Sequence, residues 1–268
     1  MEKKMYPHIH CHSLSSSIHL KILMHLALCM MMTSLLHMSC RKETAPSSIT
    51  QQVVSPKSQS HQEFVRRIIP YMGEYIQITN LSQATVEYTQ SDYSIEVIGQ
   101  ASAVDQVKAT VDTGTLTIYT PNTITISPEV PLTIRVSSPS LAIAATCSTG
   151  PIHLKGTIHT DNLHLGTLDT GAINADTIIC TNTFRYEANG NANARFNHIE
   201  TPNVAEAFLS GNGETYLDIH TTGRIYVDQQ TQSNLHLTGQ AHETEIITFA
   251  NSRAHIDMHT DHITVQAI

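Results

Sequence analysis

From Leu132 to Ile268 the chain repeats one short pattern: a few alternating β-formers, a Gly, Asn or Asp corner, then another short run. Most of these segments are too short to bury a face alone. Each must be covered by its neighbours, and stacking of successive segments is what such a pattern predicts. Ile152-His153-Leu154, Leu163-His164-Leu165, Ala172-Ile173-Asn174-Ala175 and Thr177-Ile178-Ile179 are separated by Gly156, Gly166, Gly171 and Asp176. A looser frame, apolar-polar-Gly-polar-small, joins Ala188-Asn189-Gly190-Asn191-Ala192, Leu209-Ser210-Gly211-Asn212-Gly213 and Leu237-Thr238-Gly239-Gln240-Ala241. Its glycines lie 21 and then 28 residues apart, as one coil per repeat plus an inserted loop would place them.

Upstream, strands are expected at Ala84 to Tyr88, Ser94 to Ile98, Val107 to Val111, Leu116 to Tyr119 and Leu132 to Val136, with a turn at Asp112-Thr113-Gly114. Ile68 to Ile78, broken by Pro70 and Gly73, reads as a lead-in segment, and Ile124-Thr125-Ile126 as a short strand within a loop. The chain has no Trp and is rich in Thr, Ile, Val, Asn and Ser, a balance that favours strands and turns over helices. A sandwich should show longer strands and recurrent hairpin turns. The expected fold is therefore all-β, a right-handed parallel β-helix (solenoid) of short, irregular rungs, the hand following that of parallel crossovers.

Arg66-Arg67-Ile68 leading to Ile76-Gln77-Ile78, then Val86, Ser94-Ile95-Glu96-Val97, Gly114-Thr115-Leu116-Thr117-Ile118 and the run from Leu132 to Leu141 resemble, in that order, the putative autotransporter adhesin, head GIN domain family (DUF2807). The later Leu-Ser-Gly and Leu-Thr-Gly turns are similar to its small-residue rungs, and the resemblance spans about residues 64 to 268. It implies a right-handed β-helix on a secreted or lipid-anchored protein of Bacteroidetes type. It carries over no catalytic residue.

At the N-terminus, Lys21 precedes the apolar run Ile22 to Met32, and Leu35-Leu36-His37-Met38-Ser39-Cys40 follows. A basic flank, a run of this length and a small residue before Cys40 match an export signal better than a membrane span, which needs about 20 apolar residues. Residues 1–39 are expected to be a lipoprotein-type signal peptide, Cys40 the lipidated residue, and residues 40–63 a Ser/Gln/Thr/Pro tether in front of a 64–268 β-helix. His8, His10, Cys11 and His12 would suggest a metal elsewhere, but they fall in the segment that processing removes.

Beyond Cys40 the chain carries 12 Lys+Arg against 22 Asp+Glu. An acidic body without a basic stripe argues against nucleic acid and against adsorption to anionic lipid, so contact with the membrane is expected through the lipid anchor only. His255, Asp257, His259 and Asp261 alternate, which on one strand puts all four on one face, with Ile256 and Met258 inward and His262 opposite. No known ligand spacing accompanies them, and a solvated outer face is the simpler reading. Cys147 and Cys180 either pair in an oxidising envelope or serve as small buried hydrophobes. Asp218, Glu206, Arg195 and Arg224 are the residues a β-helical lyase or hydrolase would use if they converged, though no pair stands out by spacing. Asp176-Thr177-Ile178 resembles a short O-glycan acceptor motif, and His153, His164, His220, His236 and His242 fall in or beside strands.

These observations point to a non-enzymatic cell-envelope lipoprotein of the outer membrane, without cofactor, metal or catalytic residue, whose β-helix surface binds a glycan or protein. A carbohydrate-active enzyme on the same fold and a purely structural envelope protein stay open. Carboxylates and an Arg converging in a cleft on one exposed sheet would favour the enzyme.

Overall fold

The computed structural model describes residues 64–121 and 130–268, together with Thr50, Gln51, Ile124 and Ile126. The expected signal segment, Cys40, most of the expected tether and the His8 to His12 cluster lie outside the described residues, as does Thr125 of the expected loop strand. The strands are β1 (Thr50–Gln51), β2 (Phe64–Ile69), β3 (Gln77–Leu81), β4 (Thr85–Gln90), β5 (Ser94–Gln100), β6 (Lys108–Asp112), β7 (Thr115–Tyr119), β8 (Thr133–Ser138), β9 (Ile143–Thr146), β10 (Ile152–Thr167), β11 (Ala172–Gly190), β12 (Asn193–Thr201), β13 (Val204–Gly211), β14 (Glu214–Thr221), β15 (Arg224–Thr231), β16 (Asn234–Thr248) and β17 (Arg253–Ala267). A single helical turn, α1 (Ala101–Val104), follows β5.

From Ile152 onward the described ladders are parallel, and each residue pairs with one 19 to 21 positions further on: Ile152 with Ile173, Thr183 with Val204, Glu214 with Asn234, Asn234 with Arg253. The chain forms about six coils of a β-solenoid, each with two ladder-paired runs. The first runs, opening β10, β11, β16 and β17 and making up β12 and β14, stack as sheet A. The second runs, closing β10, β11, β16 and β17 and making up β13 and β15, stack as sheet B.

Sheet A continues upstream from β10 through β4 to β8, and sheet B through β9 and β3 to β7. The coil formed by β7 and β8 thus lies outside that formed by β3 and β4, although it comes later in the chain. Antiparallel strands finish this end: β5 on β8, β2 on β5 and β1 on β2 in sheet A, and β6 on β7 in sheet B. The expected lead-in, Ile68 to Ile78, is flanked by strands: β2 ends in its first two residues, where β5 offers it an unpaired edge, and β3 begins in its last two.

Alternation decides the interior. Ile158, Ile178, Ile199 and Ile219 stack in register, each fully or almost fully buried. Phe184 and Tyr186 of sheet B meet Phe196 of sheet A edge to face, with centroids 5.7 and 5.0 Å apart. The next coil places Ala205 and Ala207 over the two sheet B rings, so bulk in one coil is matched by small residues in its neighbour. The buried Tyr186 hydroxyl lies 3.0 Å from that of Thr167.

The corners repeat as strictly as the strands. Asn162, Asn182 and Asn203 form a side-chain amide ladder at 2.9 Å per step between the A and B runs, and Asn212 donates to Asn191 at 3.1 Å between B and the next A. A left-handed backbone recurs once per coil there, at Asp169, Gly190, Gly211, Thr231 and Ala250. Gly190 and Gly211 are thus true equivalents. Gly239 is not: it pairs with Ile219 in sheet A, and the expected 28-residue step is no coil. The counterpart of Gly211 is Thr231, whose hydroxyl accepts from the Gly211 amide and donates to its carbonyl, both at 2.7 Å.

A Cβ on Gly211 would stand 1.6 Å from the Gly190 carbonyl oxygen, whereas one on Gly166 would meet only Ala145 Cβ at 3.7 Å. Gly211→Ala is expected to cost at least about 2 kcal/mol and lower the melting temperature by about 4–8 °C. Gly166→Ala should leave it nearly unchanged, and thermal unfolding followed by circular dichroism separates the two.

Candidate functional site

With the inward positions committed to packing, chemistry is confined to what the two sheets turn outward. On sheet A, register brings Arg195, Tyr216, His236 and His255 into one column across β12, β14, β16 and β17. The Arg195 guanidinium lies 5.1 Å from the Tyr216 ring centre. Tyr216 and His236 stack at 4.4 Å with planes 11° apart, and His255 follows at 5.9 Å. Glu214 accepts from the Tyr216 hydroxyl at 2.7 Å and stands 3.3 Å from His236 Nε2. That carboxylate holds the Tyr216 phenol above its ordinary pKa by accepting its proton in a hydrogen bond. Two further columns run beside it: Asp218, Thr238 and Asp257, then His220, Gln240 and His259. The result is a flat field of rings, imidazoles and carboxylates on a β-ladder pitch.

Sheet B spends its charges on itself. Arg185 donates to Glu187 at 2.6 Å and to Glu206 at 3.0 Å while its guanidinium covers the Phe208 ring at 4.3 Å. Arg224 pairs with Glu245 and lies 5.5 Å from the Tyr226 ring centre. Burial raises the Asp228 carboxyl above its ordinary range, partly offset by Gln230.

Of the four residues an enzyme would need together, Arg195 and Asp218 lie on sheet A, and Glu206 and Arg224 on sheet B. They do not converge. The space bordered by Gly190, Ala192, Gly211 and Gly213 amounts to about 10 Å³, room for one water at most. The concavity at Gln232, Asn234, Asn251, Ser252 and Arg253 is an open polar depression.

His255, Asp257 and His259 face outward as expected, with Ile256 and Met258 packed against the core, but Asp261 leaves that face. It sits at the corner after Thr260, where its carboxylate meets His242 Nδ1 at 2.8 Å, and this hydrogen bond lowers its pKa. Cys180 is a buried free thiol, pushed up to about 12 by burial, and packs as a small core hydrophobe. The Asp176 carboxylate accepts from the Gly156 amide at 2.9 Å, capping a corner. His153 is held below its usual pKa by burial and then by Lys155. Tyr216, Phe208, Tyr226 and His198 were not singled out by sequence; applying a 20- to 21-residue period to outward as well as inward positions finds them.

His164 Nε2 lies 3.4 Å from Glu187 Oε1. Its hydrogen bond, with the Arg185 charge, holds the Glu187 carboxyl down to about 2. The unfolded value is about 4.3, so this contribution to stability is full above that pH and is lost as pH falls from about 4.3 to 2. Glu187→Gln should therefore be less stable than wild type at pH 6, and the gap should shrink toward pH 2 in urea unfolding curves.

Among solved structures, the chain is similar to a putative adhesin from Parabacteroides distasonis, with TM-score 0.55, 15% identity, and coverage of 77% of this chain and 97% of that one. A putative adhesin from Bacteroides fragilis follows at TM-score 0.48 and 16% identity, with 78% and 98% covered. At such identities the likeness concerns the fold. No protein of curated function matches the chain. The profile of the family described as putative auto-transporter adhesin, head GIN domain (DUF2807) matches residues 74–267, nearly the whole described solenoid, and the chain belongs to that family.

Proposed function

We propose that this protein is a non-enzymatic binding module of the cell envelope, and that it takes hold of an extended glycan or protein through the outward face of sheet A. The Arg195–Tyr216–His236–His255 column carries this reading. Four coils present a guanidinium, a phenol ring and two imidazoles in line at the spacing of a β-ladder, about 4.8 Å. Such a row suits a long ligand that repeats along its length better than a small molecule, which normally needs a concave site burying most of its surface. The membership of an adhesin-named family supports the same reading.

Against a carbohydrate-active enzyme stand the division of Arg195 and Asp218 from Glu206 and Arg224 between two sheets, and the pairing of the sheet B carboxylates with arginines. A glycosidase needs two carboxyl groups flanking one bond, about 5–10 Å apart with the sugar between them.

Attachment to the outer membrane through a lipid on Cys40 belongs to the same proposal. It is supported by Lys21, the apolar run and the small Ser39 before Cys40. The body would then stand off the membrane on residues 40–63, with its acidic charge disfavouring adsorption to anionic headgroups.

Two measurements check these statements. On arrays of bacterial and host glycans and extracellular proteins, the untagged full chain should show a ligand whose binding falls at least 10-fold in Tyr216→Ala and His236→Ala, as for central aromatic anchors. Loss in Phe208→Ala alone would move the site to sheet B, and release of reducing ends from a polysaccharide panel would revive the enzyme. Cells fed an alkyne-palmitate analogue should label the wild-type chain and leave Cys40→Ala unlabelled; equal label on both would refute the anchor.

A further inference from the structure

The first run of sheet A changes length midway along the solenoid. Phe196 pairs with Leu217 and Ile199 with Ile219, so Asn197 and His198 together oppose the single residue Asp218. This is a β-bulge, and it turns two consecutive residues outward where strict alternation would bury one of them. His198 is thereby brought over the next coil. Its Nδ1 stands 3.6 Å from Asp218 Oδ2, and His220 Nε2, two positions along β14 on the same face, stands 3.3 Å from the same oxygen. The imidazole centres are 4.8 Å apart with planes inclined 35°, and one ligand atom from each of the three residues lies within 4.8 Å of the others. Among the described residues no other His, Cys, Asp or Glu group converges in this way. The second carboxylate oxygen, Asp218 Oδ1, accepts from the Thr238 hydroxyl at 2.9 Å, which fixes the orientation of the carboxylate.

The geometry points to a site for one borderline divalent cation, with Zn2+ as the reference ion, held by His198 Nδ1, Asp218 Oδ2 and His220 Nε2. Ligands about 2.0–2.2 Å from a tetrahedral ion stand about 3.3–3.6 Å from one another, which are the separations that the shared oxygen makes with the two nitrogens. Two imidazoles and a carboxylate select Zn2+, Co2+, Ni2+ or Cu2+ over Ca2+ and Mg2+, which prefer all-oxygen sets. The Thr238 hydroxyl supplies the outer-shell contact that metal-binding carboxylates usually have. All three side chains are 31–41% exposed, so the remaining coordination positions face solvent and are open to water or to a donor from a second molecule. This inference rests on the bulge and the ligand geometry, independently of the glycan or protein reading.

The test uses the untagged full chain, stripped with a chelator and titrated calorimetrically with ZnCl2 alone. Wild type should bind one equivalent that His198→Ala, Asp218→Ala and His220→Ala each abolish or weaken at least 10-fold, while His255→Ala on the same sheet keeps it. Thr238→Val should weaken the same equivalent by about 10-fold, the usual loss of an outer-shell partner. Co2+ should give the intense visible bands of a four- or five-coordinate ion in wild type and not in His198→Ala. Far-ultraviolet circular dichroism checks that each variant is folded, and the conservative His220→Gln replaces any alanine variant that is not. Absence of binding in folded wild type, or the same uptake in wild type and all three ligand variants, would overturn the site.

Discussion

The parallel ladder between successive coils is the constraint on which everything else rests. A coil can satisfy its backbone amides and carbonyls only if the next one follows in register, so coil length is fixed at 19 to 21 residues from Ile152 to the last strand. Corners are then as constrained as strands. Turning the chain at the same place in each coil demands a left-handed residue there, and the positions doing so include Asp169, Thr231 and Ala250 as well as two glycines. For a β-branched residue such as Thr231 that backbone is unfavourable by about 1–2 kcal/mol. Its hydroxyl bridges the amide and carbonyl of Gly211 in the preceding coil, which offsets the strain with two hydrogen bonds.

This explains what could be read from the sequence. The all-β stacked architecture was legible because inward positions must be apolar and alternate: Ile152 and Leu154, Leu163 and Leu165, Ile173 and Ile178 are all buried. The period was less legible, because a left-handed corner does not require glycine. Gly190 and Gly211 mark one step, but the series continues through Thr231 and Ala250, and the eye passes instead to Gly239, which sits in sheet A for a different reason. The antiparallel strands before Ile152 were partly visible, as the Asp112-Thr113-Gly114 turn between β6 and β7 shows, while the insertion of β8 between β4 and β5 left no local mark because it is a long-range pairing.

The candidate sites were legible in proportion to how local they are. His255, Asp257 and His259 are neighbours along one strand, so alternation alone finds their common face. His198 and Asp218 are 20 residues apart and meet only because one strand carries an extra residue; neither period nor alternation, taken separately, predicts it. Ion pairing also separates residues that look alike in the sequence. Arg195 and Arg185 both cover an aromatic ring, yet Arg185 is tied to two carboxylates as well.

The length change in sheet A links the fold to the two proposed sites more closely than either sheet's composition does. Between the inward residues Leu154 and Ile158 the chain has three positions, between Ala175 and Ile178 two, between Phe196 and Ile199 two, and between Leu217 and Ile219 one. Beyond that point the run is continuous through Leu237 and Gly239, with no shift in register. A column of stacked rings needs this regularity, since cross-strand neighbours touch only when directly opposite. Tyr216, His236 and His255 accordingly follow the bulge. A convergent cluster needs the opposite, a local break that aims side chains from two coils at one point, and His198, Asp218 and His220 occupy the step where the extra residue is lost. One solenoid thus offers two chemistries on one face, a repeating row where the register holds and a point of convergence where it slips.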